Sequence, residues 1–176
     1  MKKEMTIEVS KTDLTYVGNG KYSYGKTTGN KGEAIEAFLR KTLQPTDNRW
    51  YKKDSTAYDV GSDIELSAEE RISVKSGSQF SITEKITAGL STEEARIGLI
   101  ERYEKTVHSN LVAYGRLTET ENNYIIQVVI FPMDIFVELL KKIGTLTATD
   151  SRKNKYKLRI KKSENRIIKE LNELGV

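Results

Sequence analysis

The stretch Tyr58-Asp-Val-Gly-Ser-Asp-Ile-Glu-Leu-Ser-Ala-Glu-Glu-Arg-Ile-Ser-Val-Lys-Ser-Gly77 reads as one β-hairpin. Two alternating runs, Asp63-Ile64-Glu65-Leu66 and Arg71-Ile72-Ser73-Val74-Lys75, flank the turn-like Ser67-Ala-Glu-Glu70. Strand side chains alternate between faces, so Asp63 and Glu65 share one face and Ile64 and Leu66 take the other. By the same rule Ser73 and Lys75 oppose Ile72 and Val74. A hairpin closed around this turn brings two carboxylates and an ammonium to one patch. Such a patch suits a hard divalent cation and a water beside a phosphate.

Outward from the hairpin, helical and strand periods alternate. Upstream, Met5 to Tyr24 reads as short strands around the tight-turn signal Gly18-Asn19-Gly20, and Gly25 to Lys31 as loop. Ala34, Ile35, Phe38, Leu39 and Leu43 mark a helix over Lys31 to Leu43, which must stop before Pro45. Asn48 to Lys53 is a further candidate strand. Downstream, Ser91-Thr-Glu-Glu94 is a capping box that opens a helix to about Val107. Leu111 to Thr118 and Tyr124 to Phe131 read as strands, the second apolar enough for burial on both faces. Pro132 begins a helix that Gly144 ends. Finally Tyr156, Leu158 and Ile160 alternate with basic residues, and a helix capped by Ser163 closes the chain. The expected class is mixed α/β. Residues 1–150 form one domain with an N-terminal hairpin, and 151–176 a basic strand-helix segment packed on it.

The composition narrows the chemistry. The 176 residues hold no Cys and one His, which excludes disulfides, thiolate zinc sites, cysteine nucleophiles and multi-histidine metal centres. His108 itself is expected at a loop or helix end. No apolar run approaches the roughly 20 residues of a membrane span, and Met-Lys-Lys-Glu-Met lacks a secretory apolar region. A cytoplasmic location with no membrane partner is therefore expected. The net charge of +4 is unevenly placed: residues 151–176 carry nine Lys and Arg against three Glu, and the rest is slightly acidic. A basic segment on a near-neutral body suits a polyanion, DNA above all. Lys155, Lys157, Arg159 and Lys161 fall on one strand face, extended by Arg152, Lys153 and Lys162. That spacing suits a phosphate backbone.

The order helix, hairpin, helix, strand around an Asp63…Ser73-Val74-Lys75 hairpin resembles the PD-(D/E)XK nuclease superfamily, which includes type II restriction endonucleases. The resemblance covers roughly residues 29 to 131. It implies a restriction-endonuclease-like core, a mixed central β-sheet flanked by helices, here with a C-terminal strand-helix extension. It also implies Mg²⁺ (or Mn²⁺) as cofactor and DNA endonuclease activity, with a homodimer cutting both strands. Asp63 matches the metal-binding Asp and Lys75 the Lys that positions or activates water. Ser62 stands for the Pro, and Ser73 for the second acidic residue. Members with Ser at that place recruit an acid from elsewhere, and two sources are open. Glu65 shares the strand face of Asp63, while Glu36, with Glu33 behind it, lies on the preceding helix, from which a Glu often reaches the site in this superfamily. The catalytic set implied is thus Asp63, Lys75, Glu65, Glu36 and Ser73, with metal on Asp63, Glu65 or Glu36.

The same residues have simpler readings. Glu36 can pair with Arg40 one turn on, and the hairpin charges can form weak cross-strand pairs. Asp59 is a reserve ligand, available only if Gly61 bulges. Gln79, Ser76, Ser78, Ser81 and Thr83 follow the Lys75 strand and can offer polar contacts. Tyr16, Tyr22 and Tyr24 can stack on bases or simply pack. A structure-selective or mobile-element nuclease, a nucleic-acid-binding protein that has lost catalysis, and a protein-interaction module are the competing functions.

Overall fold

The computed structural model describes residues 3–45, 63–85, 90–150 and 155–176. The hairpin is present. β5 (Ile64–Glu65) runs antiparallel to β6 (Arg71–Ser76), with Ile64 opposite Ile72 and Glu65 opposite Arg71. The first arm is shorter than the alternation suggests. Leu66 has left the strand and is exposed, because its backbone is taken into the 66–70 turn by a hydrogen bond to Glu70.

The hairpin is the edge of a five-stranded mixed sheet. β6 pairs in parallel with β8 (Leu111–Glu119), which pairs antiparallel with β9 (Asn123–Pro132), and β9 with β1 (Lys3–Ser10). The connection from β6 to β8 includes α2 (Thr92–Thr106), started by the Ser91–Glu94 capping box. A parallel pair needs such a crossover. On one face lies α1 (Lys31–Leu43), with a small sheet of β2 (Leu14–Gly18), β3 (Lys21–Tyr24) and β4 (Thr27–Asn30) beside it. The Asn19-Gly20 turn of this sheet has positive φ at both residues, as a tight two-residue hairpin requires. Ala34, Ile35, Phe38 and Leu39 of α1 meet Ile72, Ala113, Ile126 and Val128 in a first core.

The opposite face carries a second core. α3 (Met133–Ile143) and α4 (Glu164–Glu173) pack there with α2. Below them lies a three-stranded sheet, ordered β10 (Thr145–Asp150), β11 (Lys155–Lys161), β7 (Gln79–Lys85). β11 holds the middle of that sheet, with Leu158 and Ile160 fully buried. Ile167 and Leu171 of α4 join the same core, so the basic C-terminal strand and helix are built into it.

The element expectations are met for α1, α2, β8, β9, α3, β11 and α4 to within a residue or two. Three strands were not foreseen. β4 occupies a segment read as loop, since Thr-Thr-Gly-Asn has no apolar alternation and exists as a strand through its pairing with β3. β7 (Gln-Phe-Ser-Ile-Thr-Glu-Lys) and β10 (Thr-Leu-Thr-Ala-Thr-Asp) carry a short polar–apolar alternation that was passed over, and they pair on either side of β11. The two-sided burial of β9 holds only near its end. Tyr124, Ile126, Val128 and Ile130 are buried on one face, while on the other Gln127 is exposed and Phe131 is covered. The expected strand over Asn48 to Lys53 lies outside the described residues. Among the described residues, no helix is long and apolar enough to cross a membrane.

Candidate functional site

Asp63 stands at the mouth of the hairpin, its backbone N–H on the Ile72 carbonyl and its side chain beside Ser73. Its Oδ2 accepts the Val74 backbone N–H at 2.6 Å, and Ser73 Oγ lies 3.4 Å away. Ser73 is buried, and it points, like Lys75, to the face opposite Ile72 and Val74. The Lys75 ammonium lies 6.0 Å from the centre of the Phe136 ring, a weakly attractive, partly dry setting.

The two carboxylates proposed to replace the missing acid have different surroundings. Glu65 is exposed and bonded across the strands to Arg71 at 3.0 Å. Its backbone carbonyl accepts from Gln44 Nε2 at 2.5 Å, which ties the hairpin to the end of α1. Glu36 is 8% exposed although charged. It pairs with Arg40 at 3.5 Å, the expected i+4 contact, and Arg40 also donates to the backbone carbonyl of Asp63. Arg40 therefore strings Glu36 to the start of β5. Burial pushes the nearby Tyr24 hydroxyl up to about 12, with Glu33 and Glu36 adding to the rise. Glu33 itself is occupied in the capping box with Asn30.

No group of three or more metal-ligating side chains comes together among the described residues. Asp59 lies outside those residues. The polar residues after Lys75 belong to β7 and the turn before it. Tyr114 donates its hydroxyl to the Gly77 carbonyl at 2.7 Å, anchoring a turn whose φ of +76° suits glycine. Ser78 lines a cleft beside this turn.

The basic face is present in part. Lys157, Arg159 and Lys161 alternate with the buried Leu158 and Ile160, and so share the outer face of the three-stranded sheet. Register places Thr145 and Thr147 beside them on β10, and Ser81, Thr83 and Gln79 on β7. Lys155 continues the strand, while Arg152 and Lys153 lie outside the described residues. Of the three tyrosines, Tyr16 is exposed. Tyr24 is buried, and Tyr22 lies edge-on to both Tyr16 and Tyr124. His108 is exposed in the link between α2 and β8.

Three ionic residues not anticipated at a site meet near Gly77: Lys31, Arg116 and Glu164. Arg116 was legible in principle, since it interrupts an otherwise apolar strand. No protein-family model, curated protein or solved structure matches the chain.

Proposed function

We propose that the chain is a divalent-metal-dependent DNA endonuclease of the PD-(D/E)XK kind, restriction-endonuclease-like in its core. The observation that carries this reading is the contact of the Asp63 carboxylate with Ser73 across the hairpin, with Lys75 on the same face of β6 as Ser73. The order α1, β5–β6 hairpin, α2, β8 around that pair supports it.

Mg²⁺ keeps several waters and is commonly held by one or two carboxylates plus substrate phosphates. The donor set fits that mode. Asp63 would be the anchoring ligand, with Glu65 or Glu36 as the second: Glu36 is buried and joined through Arg40 to the Asp63 backbone carbonyl, and Glu65 is exposed and paired with Arg71. When bound, the cation would supply charge stabilisation to the phosphodiester being cut. Asp63 is oriented by the Val74 N–H. Lys75, desolvated on one side by Phe136, orients the attacking water and carries positive charge beside the phosphate. Ser73 contributes a hydroxyl. The Lys157, Arg159 and Lys161 face would track the DNA backbone, and cutting both strands calls for a homodimer.

A second reading is favoured by one observation. Asp63 Oδ2 is already satisfied within the hairpin, and the facing residue is Ser, as expected of a nuclease fold that only binds DNA. Plasmid cleavage in Mg²⁺ or Mn²⁺ decides between them. The enzyme reading expects nicking that is lost in Lys75→Ala and Asp63→Ala. Salt-sensitive binding with no cleavage in either metal leaves only the second reading.

A further inference from the structure

Two residues beyond Lys75, the chain borders a cleft of ≈ 470 Å³ that the hairpin chemistry does not use. Its walls are the Gly77-Ser78 turn, Lys31 at the start of α1, Arg116 on β8, and Ser163, Glu164 and Asn165 where α4 begins. Glu164 lies between the two cations. Its Oε1 takes a hydrogen bond from Lys31 Nζ at 2.9 Å, whereas its Oε2 is 3.6 Å from Arg116 Nε.

The second distance is too long for a hydrogen bond. Arg116 has no other ionic or hydrogen-bond partner among the described residues, and its side chain is 37% exposed. A guanidinium fork lining a cleft with its donors unused is matched to an oxyanion with several oxygens in one plane or tetrahedron. One carboxylate between two cations also leaves an excess positive charge. Glu164 feels like a neighbouring charge to Tyr114 as well: after burial, it is the next cause of the raised Tyr114 hydroxyl.

The cleft adjoins the end of the basic strand β11. Lys162 N–H donates to the Ser78 carbonyl at 3.2 Å, and Lys161 is opposite Gln79. A strand of nucleic acid laid along Lys157, Arg159 and Lys161 is thus led to the cleft before it reaches the strand end that carries Lys75.

We propose that the Lys31–Arg116 cleft is a phosphate-binding site in which Glu164 is a resident counterion, displaced when a phosphate enters. The nucleic-acid reading above enters only as the source of that phosphate. A terminal phosphate or an internal diester would be held by the same two cations.

The test is equilibrium binding of a fluorescein-labelled DNA duplex, with and without a 5′-phosphate, in EDTA so that no cleavage occurs. Glu164→Gln is expected to tighten binding about fivefold, the scale of one partly exposed ion pair. Lys31→Ala and Arg116→Ala should weaken it by a similar factor and erase the gain when combined with Glu164→Gln, and Lys31→Arg should restore it. Dependence on the 5′-phosphate assigns the site to strand ends, and independence assigns it to internal diesters. A purely structural bridge predicts a lower melting temperature for Glu164→Gln and no gain in affinity, and that result overturns the proposal. If the wild type binds no duplex, the nucleic-acid reading fails, and inorganic phosphate becomes the probe. Stabilisation by phosphate over chloride at equal ionic strength, lost in Arg116→Ala, would keep the cleft; no difference would end it.

Discussion

Ser73 is where the chemistry of this hairpin turns. Its hydroxyl faces Asp63 at 3.4 Å in a buried position, so an acid placed there would sit beside another acid. Like charges that close disfavour joint ionisation, and a divalent cation removes the conflict. Ser73→Asp is therefore expected to be less stable than wild type in EDTA, by about 1–3 kcal/mol, and to gain more in melting temperature from saturating MgCl₂ than wild type gains. Equal magnesium shifts in the two proteins would remove Asp63 from consideration as a ligand. The facing of Asp63 and Ser73 was readable from the sequence, because strand alternation and a short turn allow little else. The surroundings of Glu36 and Glu65 were not. They depend on Arg40 reaching the Asp63 carbonyl from another element, and on Arg71 pairing with Glu65 at the exposed end.

α1 and β8 approach each other over Gly115. A Cβ built there would come within 2.4 Å of Ile35 Cγ2, in the middle of the first core. Both neighbours belong to regular elements with buried side chains, so relief requires moving a helix or an off-rotamer Ile35. Gly115→Ala should cost about 1–3 kcal/mol, seen as a lower urea midpoint at unchanged slope. Combining it with Ile35→Ala should cost less than the sum of the two changes, because the clash is then gone. Additive losses would place the strain elsewhere. The helix periods of α1 and α2 and the capping box of α2 were plain in the sequence. The closeness of α1 to β8 was not, since a glycine in a strand signals a bulge as readily as a close neighbour.

Across the molecule, α4 is held to α3 by charge as well as by Ile167 and Leu171. Glu170 is buried yet takes Lys142 at 2.6 Å and an ion pair from Arg166, and Lys142 also reaches Glu173 at 2.6 Å. The Lys142 ammonium against it holds the Glu170 carboxyl below its ordinary 4.5, with burial acting in the opposite direction. The same contacts, with Glu170 first, raise Lys142 above its ordinary 10.5. A carboxyl lowered on folding contributes stability that is complete above the unfolded value and is lost as pH falls through the folded one. The lysine's share is complete below its unfolded value and is lost as pH rises through the folded one. Between these limits wild type should melt well above Glu170→Gln, and the gap should close on acidification below about pH 4.5. Thermal melts across pH 3 to 7 check this, and a gap that persists at pH 3 would assign the effect to packing.

Local physics was enough to place most of this protein. Apolar spacing, the Ser91–Glu94 capping box, Pro45 and Pro132, and the Asn-Gly turn determine the helices, the hairpins and the alternation that puts Asp63, Ser73 and Lys75 on one face. Those features depend on neighbours within a few residues, which a sequence displays directly. Which strands join into the three-stranded sheet was decided only in three dimensions, where β7 and β10 pair on either side of β11. The same holds for the meeting of Lys31, Arg116 and Glu164. These residues are far apart in the chain, and only the packing of α1, β8 and α4 at the end of β6 brings their charges to one cleft.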